Sequence, residues 1–428
     1  MYAISSVLIT HASILKSTDM DLWLILYIID LLLFVVVAMT VAYIFVFSVA
    51  SLFSQRATVP KAKRQNRFVV LIPAYKADKT ILQTVVSVLG QTYPQRMFDV
   101  TVISDHQNEM TNMHLAQYPI TLITPNFEKS SKAKSLQYAI LNLPEFKIYD
   151  VVVVIDANNI VEPEFLEQIN DAYETAGSKA ILVHRLPKNR DTSAARLDSV
   201  FEEINNSIFR RGHNVVGLSA ALTGSGVAFN FDWFKTNIMK VRSNDEEKEI
   251  ESMLLRQHIF IDYFDDIHVY DEKTRRTDDF NKQRGRWAGQ QIKSLITNIR
   301  YIPAALIESH YDWLDKIIQW MLMPRMIMMG IIGLMSIILP FIYFTLVIKW
   351  WIIAVIIGFA FALATPNNLV DEHWDYDFLS LPYRTIKSLL RMVGIRLPDI
   401  RLPKFKIIEI IKEKMSPFSK ANQKRIKL

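Results

Sequence analysis

The stretch VVVVIDANN (151–159) ends a fully apolar run on one carboxylate, Asp156, and places an amide, Asn158, two residues further on. Carboxylate and amide oxygens are ligands that Mg²⁺ and Mn²⁺ prefer in proteins, so this pair could hold one of these ions. Because an amide carries no negative charge, the ion would be bound more weakly than by two acids. The pattern therefore predicts a weak divalent metal site at the end of a buried strand.

Two further stretches carry groups that could act on a charged substrate. The first is QRGRW (283–287), whose Arg284 and Arg286 present planar guanidinium groups that suit phosphate oxygens. The second is NDEEKEIE (244–251), where acids open a helical pattern and one of them could act as a general base. Acids in the first turn of a helix are also favoured by the helix dipole alone, and that structural explanation stays open.

Alternating apolar strands and amphipathic helices over residues 68–300 must position these groups. The strand patterns include FVVLIPAY (68–75), DVTVISD (99–105) and VVVVID (151–156). This alternation predicts an α/β fold with a mostly parallel sheet that is covered on both faces. Ligands of such sheets bind at the carboxyl ends of the strands. The residues that stand there are Ala74, Tyr75, Asp105 and Asp156.

The composition excludes several classes of protein. No glycine-rich loop follows the first strand, so neither a P-loop nor a dinucleotide-binding fingerprint is present. The chain has no cysteine, which excludes disulfides and a catalytic thiol. The net charge of +6 lies largely beside apolar segments, so we expect membrane lipids with anionic headgroups to be the partner, and no nucleic acid.

Two apolar zones flank the middle of the chain. Residues 22–53 contain a single charge, Asp30, and exceed the roughly 20 residues that cross a bilayer, so they predict a transmembrane helix. A signal peptide would have a shorter apolar core of about 7–15 residues. Residues 311–366 predict an interfacial helix over 313–325 and then a membrane hairpin, with KWW (349–351) as the interfacial stop between its legs.

Basic residues predict the orientation in the cell (inner) membrane. Five Lys or Arg closely follow the first helix, and residues 378–428 hold thirteen against three acids. The positive-inside tendency therefore places the middle domain and the tail in the cytoplasm. The predicted segments are an N-terminal segment (1–21), a transmembrane helix (22–53), a soluble domain (60–300), an interfacial helix with a hairpin (311–366) and a basic cytoplasmic tail (376–428).

Six ordered stretches resemble the family 2 glycosyltransferases, the membrane-bound GT-A enzymes related to cellulose and hyaluronan synthases. The stretches are FVVLIPAYKADKTILQTVVSVLGQTYP, VISDHQ, FEKSSKAKSLQYAI, VIDANNIVEPEFL, GLSAALTGSG and QRGRW. The resemblance covers residues 68–300 in the right order, and the membrane segments on both sides fit it. It implies transfer of a sugar, with inversion, from a nucleotide-sugar donor to a saccharide or lipid-linked acceptor, assisted by Mg or Mn.

The resemblance also implies roles for individual residues. Asp156 and Asn158 would hold the metal, and Asp105 would meet the nucleotide base. Positions near the nucleotide would further include Ala74, at the end of the first strand, and Lys134. The QRGRW segment resembles an active-site lid helix, in which Gln283 would orient the lid, Arg284 and Arg286 would face the diphosphate, and Trp287 would lie under the acceptor sugar.

This sequence departs from the family pattern at two positions. The family's general base is the aspartate of a Glu-Asp pair, and here the pair reads Glu246-Glu247, so Glu247 takes the place of the base. A shift in register would offer Asp245 instead. The second departure is Asn158, which stands where the family has an acid.

Two functions remain open because of these departures. The first is an active membrane glycosyltransferase of polysaccharide biosynthesis, non-processive or forming a channel with partners, and we favour it because the lid motif and Lys134 are present. The second is a catalytically impaired GT-A scaffold subunit of a polysaccharide assembly complex. A plain lipid-binding membrane anchor would leave the ordered motifs unexplained.

Overall fold

The computed structural model describes residues 2–54, 59–243, 245–366 and 369, with side chains from residue 24 onward, so the predicted tail (376–428) lies outside the described residues. The helices are α1 (Tyr2–Ser51), α2 (Ile81–Leu89), α3 (Glu109–Leu115), α4 (Lys132–Leu141), α5 (Phe165–Ala176), α6 (Ser193–Asn205), α7 (His213–Val215), α8 (Phe231–Ile238), α9 (Glu246–Arg256), α10 (Thr277–Asn298), α11 (Ile302–Ile307), α12 (Tyr311–Met321), α13 (Arg325–Ile342) and α14 (Phe344–Ala364). A π-helical turn (Asn206–Gly212) joins α6 to α7. The strands are β1 (Phe68–Tyr75), β2 (Phe98–Asp105), β3 (Thr121–Ile123), β4 (Val151–Val154), β5 (Asn159–Val161), β6 (Ala180–Pro187), β7 (Val227–Asn230) and β8 (Ile261–Asp271).

The described residues divide into two compact units. One unit comprises residues 2–46 and 322–360, and it contains most of α1 together with α13 and α14. The other comprises residues 47–321 with the described residues from 361 onward, and it contains the sheet.

The sheet of the larger unit is mixed. Among the described strands its order is β3-β2-β1-β4-β7-β6-β8-β5. Strands β1 to β4 pair in parallel, as the sequence predicts, but β7 is antiparallel to both β4 and β6, and β5 is antiparallel to β8. Since β6 and β8 also pair in parallel, four of the seven pairings among the described strands are parallel, so the sheet is mixed rather than mostly parallel, and the α/β class is confirmed.

Apolar side chains cover both faces of this sheet. Alternate residues of β1 enter two different core clusters: Val69 and Leu71 enter one, whereas Phe68, Val70 and Ile72 enter the other. All four valines of β4 are buried between β1 and β7, which explains a strand without polar alternation. The helix α2 covers one face through an apolar stripe with helical spacing.

The register of the parallel strands brings three strand ends together. Tyr75 of β1 pairs with Asp105 of β2, and Leu71 of β1 pairs with Val154 of β4. Asp156 follows two residues after that last pair. The polar residues that end these strands therefore meet at one edge, as expected for parallel strands.

Helix α12 covers most of the interfacial helix predicted over residues 313–325, and its position at a membrane surface stays a prediction. Trp313, Ile317 and Trp320 of this helix are buried within the larger unit, whereas Ile318 and Met321 are exposed. On the same helix the ammonium of Lys316 is 3.0 Å from the carboxylate of Glu251 on α9. One face of the helix therefore packs against protein, and apolar side chains outside that face remain exposed.

Three helices in the described residues are long and apolar enough to cross a membrane: Leu24–Ser51, Arg325–Ile342 and Phe344–Ala364. The predicted span over 22–53 is thus part of one longer helix, α1. The predicted interfacial stop at 349–351 is wrong, because these residues lie inside α14, and the break between the two later helices falls at Tyr343.

The residues of that supposed stop bind Asp30 of α1 instead. Lys349 forms an ion pair with Asp30, and the indole N–H of Trp350 donates to Asp30 Oδ1 at 2.9 Å. Trp350 is fully buried. Charged residues in apolar spans are costly unless they are paired, so this contact accounts for the one acid of the first span.

Removing one partner of this pair is expected to destabilise the membrane unit. In Asp30→Ala the ammonium of Lys349 loses its counter-ion, a change that costs roughly 3–5 kcal/mol for buried pairs. We expect the melting temperature in detergent to fall in Asp30→Ala and to recover partly in Asp30→Leu/Lys349→Leu, which leaves no unpaired charge. Equal melting temperatures for Asp30→Ala and the unchanged protein would show that the pair adds no stability.

Candidate active site

A cavity of about 500 Å³ opens at the edge where the strand ends meet. Tyr75, Asp105 and Asp156 line it from the sheet, and Lys132 lines it from the first turn of α4. Ser131 caps α4, because its side-chain oxygen accepts from the backbone N–H of Lys134 at 3.2 Å. The cap fixes the start of the helix and with it the position of Lys132.

Asp105 presents an unsatisfied acceptor at this cavity. Its side chain is 1% exposed, and Oδ1 lies 2.5 Å from Nδ1 of His106. Its other oxygen, Oδ2, is buried and has no hydrogen-bond partner among the residues that the structure describes. An unpaired buried acceptor is costly, so the site favours a ligand that brings an N–H donor.

The backbone next to Asp105 is strained. His106 and Lys76, which follow the ends of β2 and β1, both have left-handed backbones, with φ of 56° and 49°. The N–H of Lys76 donates to the carbonyl of Asp105 at 3.1 Å and so ties the two turns together. Left-handed residues other than glycine concentrate at functional sites.

Lys132 is the functional candidate that the sequence analysis missed. Its ammonium lies 2.5 Å from Asp156 Oδ1 and 2.6 Å from the carbonyl oxygen of Gly224. Burial lowers the pKa of Lys132, but the carboxylates of Asp156, Glu247 and Glu246 outweigh it and raise the pKa above its ordinary value. The side chain is therefore a permanent cation beside the predicted metal ligand.

Lys134 and Ala74 do not line the cavity in the described structure. The ammonium of Lys134 donates to the carbonyl of Lys129 at 2.7 Å on the surface. Ala74 is buried, and its carbonyl accepts from Gln107 at 3.1 Å. Their predicted roles at the nucleotide thus have no direct contact to support them, whereas Lys132, two residues before Lys134, lies where a basic group is expected.

Glu246 and Glu247 occupy the first turn of α9 and approach Lys132. Burial raises the pKa of Glu246 to about 7. Burial also raises the pKa of Glu247, although the charge of Lys132 opposes this. Asp245, the alternative base, interacts instead with Lys248, so the structure brings the Glu pair to the site rather than the aspartate.

The GLSAALTGSG stretch forms the wall behind these groups. A Cβ on Gly224 would collide with the carboxylate of Glu247 and would come within 2.7 Å of the ammonium of Lys132. Ser225 accepts a hydrogen bond from the backbone N–H of Asp156 at 2.9 Å. The glycine is therefore required for the close approach of the acid and the cation, and the serine holds the end of β4.

Asn158 faces an acid, which explains the missing second carboxylate. Its amide Nδ2 donates to Asp271 Oδ1 at 3.3 Å. The other oxygen of Asp271 contacts Arg185 at 2.6 Å and Lys273 at 3.0 Å. Burial raises the pKa of Asp271, but these two cations outweigh it and lower the pKa. An aspartate at 158 would place a second negative charge against this one.

The donor set at the strand end fits a divalent ion. Asp156 and Asn158 both line the cavity and offer a carboxylate and an amide carbonyl, which are hard oxygen ligands. Two protein ligands suffice for Mg²⁺ or Mn²⁺ when phosphate oxygens and water complete the shell. Lys132 shares Asp156, so the ion would be held weakly without a bound diphosphate.

Asn158→Asp is expected to lower the stability of the metal-free protein and to raise its affinity for a divalent ion. Without a divalent ion, repulsion from Asp271 should lower the melting temperature below that of Asn158→Ala, which loses the hydrogen bond but gains no charge. With Mn²⁺ the added carboxylate should give the variant a larger thermal shift than the unchanged protein shows. Thermal unfolding with and without Mn²⁺ tests both parts, and no difference between Asn158→Asp and Asn158→Ala would contradict them.

The QRGRW segment lies inside α10, and none of its side chains lines the cavity among the described residues. Arg284 forms an ion pair with Asp198 of α6, and burial lowers the pKa of its guanidinium. Its guanidinium carbon is 4.6–5.0 Å from the ring centres of Phe201, Phe280 and Trp287. The segment is thus docked on α6.

The other three side chains of the predicted lid are also away from the cavity lining. Gln283 accepts a hydrogen bond from Thr274 at 3.2 Å, and Arg286 is exposed. Trp287 is 36% exposed. Their contact with the diphosphate and the acceptor stays a prediction that requires α10 to move.

The model of the family described as "Glycosyltransferase like family 2" matches residues 65–290, which is more than half of the chain. The chain therefore belongs to this family and is a glycosyltransferase. It is similar to the mannosyltransferase PcManGT from Pyrobaculum calidifontis, solved in complex with GDP-Man and Mn²⁺. The identity is 14% and the TM-score 0.50, over 76% of this chain and 97% of that chain, which shows a shared GT-A fold.

A second similar structure is S. aureus TarS 1–349. It is 15% identical, with a TM-score of 0.40, over 78% of this chain and 94% of that chain. No curated protein sequence matches the chain.

Proposed function

We propose that this protein is a membrane glycosyltransferase that moves a sugar from a nucleoside diphosphate sugar to an acceptor hydroxyl with inversion. The observation that carries the proposal is the convergence of three groups: Lys132 and Asp156 line the cavity at the strand ends, and Glu247 lines a smaller pocket that shares Lys132 with it. A cation for the leaving diphosphate, an acid for a divalent ion and a base for the acceptor are the groups that such a reaction needs.

The groups that line the cavity support positions for the nucleobase and the diphosphate of the donor. The buried, unpaired oxygen of Asp105 suits the ring N–H of a nucleobase, as the family resemblance also implies. Lys132 would bind the diphosphate by charge-assisted hydrogen bonds. Asp156 and Asn158 would hold a divalent ion, which spreads the negative charge of the diphosphate when bound. The binding of Mn²⁺ and GDP-Man by PcManGT supports this arrangement.

Glu247 would then accept the proton of the acceptor hydroxyl. A base works best when its pKa is close to the operating pH, and burial moves the pKa of Glu247 in that direction. Attack by the hydroxyl from the face opposite the diphosphate inverts the anomeric carbon in a single displacement. Lys132 keeps its positive charge throughout and stabilises the charge that develops on the leaving group.

A donor panel tests this proposal. Uridine and guanosine diphosphate sugars are added to the purified protein with and without Mn²⁺, and the melting temperature is measured. We expect at least one donor to raise it, and the same donor to release nucleoside diphosphate when acceptor is present. If no donor gives a shift or turnover, the scaffold role is favoured instead.

We further propose that the family domain lies in the cytoplasm, at the cell (inner) membrane. The three apolar helices and the basic residues after the first of them support this placement. Because the chain has no cysteine, single cysteines at Lys16 and at the exposed Glu145 can be labelled selectively. We expect a membrane-impermeant maleimide to label the two positions from opposite sides, and labelling from one side would contradict the topology.

A further inference from the structure

Three side chains of metal-ligand type lie together outside the cavity at the strand ends. They are His258, Glu308 and His310, and their ligand atoms all lie within 4.8 Å of one another. His258 follows the C-terminal end of α9, whereas Glu308 and His310 belong to the turn between α11 and α12. His258 and Glu308 are exposed and His310 is buried, so the cluster is open to solvent on one side.

The chemistry of this cluster differs from that of the strand-end site. The imidazole rings of His258 and His310 are stacked, nearly parallel at 16° with their centres 3.8 Å apart, so at least one ring must rotate for both to direct a nitrogen at one ion. Two imidazole nitrogens and one carboxylate oxygen suit Zn²⁺ and similar transition metals, whereas Mg²⁺ prefers oxygen alone. Three protein ligands also leave a fourth position for water, as in sites that bind exchangeable ligands.

The backbone at the cluster is strained in two places. His258 has a left-handed φ of 55° where helices usually end on glycine or asparagine, and Ser309, between the other two members, has a φ of 52°. The helix end around His258 is held by hydrogen bonds from His258 and Ile259 to the last turn of α9. Such strain persists only where the surrounding structure imposes it, and it concentrates at functional sites.

We propose that His258, Glu308 and His310 form a binding site for Zn²⁺ or a chemically similar transition-metal ion. The ion would join the C-terminal end of α9 to the turn before α12. These helices are already connected by the buried contact of Glu251 with Lys316. Because α9 has 11 residues and is therefore roughly 16 Å long, the site lies far from Glu246 and Glu247 but on the same rigid helix.

Zinc binding by the full-length protein tests this site. The protein is purified without a polyhistidine tag and dialysed against Zn²⁺ in excess Mg²⁺, which occupies oxygen-only sites. The variants are His258→Asn and Glu308→Gln. The matched control is His114→Asn, at an exposed histidine of α3. Asparagine tolerates a left-handed backbone, so His258→Asn removes the ligand without disturbing the helix end.

We expect the unchanged protein and His114→Asn to retain one equivalent of Zn²⁺ that His258→Asn and Glu308→Gln lose. Zn²⁺ should raise the melting temperature only in the first two proteins. With Co²⁺ as the probe, the absorption bands of a nitrogen-ligated ion should vanish in His258→Asn. Equal binding by the unchanged protein and His258→Asn overturns the proposal, and so does the absence of Zn²⁺ binding in the unchanged protein. Neither result bears on sugar transfer.

Discussion

Lys132→Met is expected to lower sugar transfer by about 10²- to 10³-fold, the effect of removing one preorganised charge-stabilising group. The methionine keeps the length and packing of the lysine stem but has no charge. In the structure this ammonium is the group that bridges Asp156 and the carbonyl of Gly224. Its loss leaves the cavity at the strand ends without a lining cation from α4.

Lys134→Met is the matched control for this experiment. Both lysines lie in the first turn of one helix, carry the same charge and lose it in the same way, but Lys134 binds Lys129 on the surface. We expect Lys134→Met to retain nearly the turnover of the unchanged protein. Steady-state release of nucleoside diphosphate gives kcat and KM for each protein. A large loss of turnover in Lys134→Met with normal turnover in Lys132→Met would assign the diphosphate contact to Lys134 and contradict our assignment.

The burial of the residues along α4 distinguishes these two lysines. Positions four and seven residues after Lys132 are Leu136 and Ala139, which are buried, so Lys132 lies on the inward face of α4. The corresponding positions after Lys134 are Tyr138 and Leu141, which are exposed. Because Tyr138 and Leu141 are apolar as well, the sequence of KAKSLQYAIL does not separate the two lysines, and the difference becomes visible only through burial in the structure.

Other features of the site depend on contacts between distant residues. Asn158 is 113 residues before Asp271, and no local sequence pattern predicts the hydrogen bond between their side chains. The strand β8, which carries Asp271, reads IDYFDDIHVYD and pairs in parallel with β6. Its four acids interrupt the apolar pattern by which a strand is predicted. The strands β1 and β4 were predictable because their residues form continuous apolar runs, and β2 because its apolar residues alternate with small polar ones.

Glu247→Gln is expected to lower turnover by about 10²- to 10⁴-fold, since an amide cannot accept the proton of the acceptor hydroxyl. Donor binding should survive, because the change is isosteric. The groups proposed to contact the nucleobase and the diphosphate of the donor do not include Glu247. A donor-induced thermal shift equal to that of the unchanged protein, with turnover lost, would establish that the residue serves the chemical step.

Three further variants locate the base within the acidic run. Glu247→Asp keeps a carboxylate and should retain much more turnover than Glu247→Gln. Glu246→Gln and Asp245→Asn remove neighbouring acids, and Asp245 interacts with Lys248 rather than Lys132. We expect Asp245→Asn to be nearly neutral. If Asp245→Asn abolishes turnover and Glu247→Gln does not, the base lies two residues earlier.

The pH dependence of turnover tests the role of Glu247 independently. The charged groups that act on Glu247 are Lys132, Asp156, Arg185 and Lys248. Burial raises the pKa of Glu247, with Asp156 acting in the same direction and Lys132 against it. A base must be ionised to accept a proton, so kcat/KM should fall as the pH drops through this raised pKa, at a higher pH than for an ordinary glutamate. Glu247→Gln should flatten that acid limb, whereas Glu247→Asp should keep it. An unchanged acid limb in Glu247→Gln would assign the base to another group.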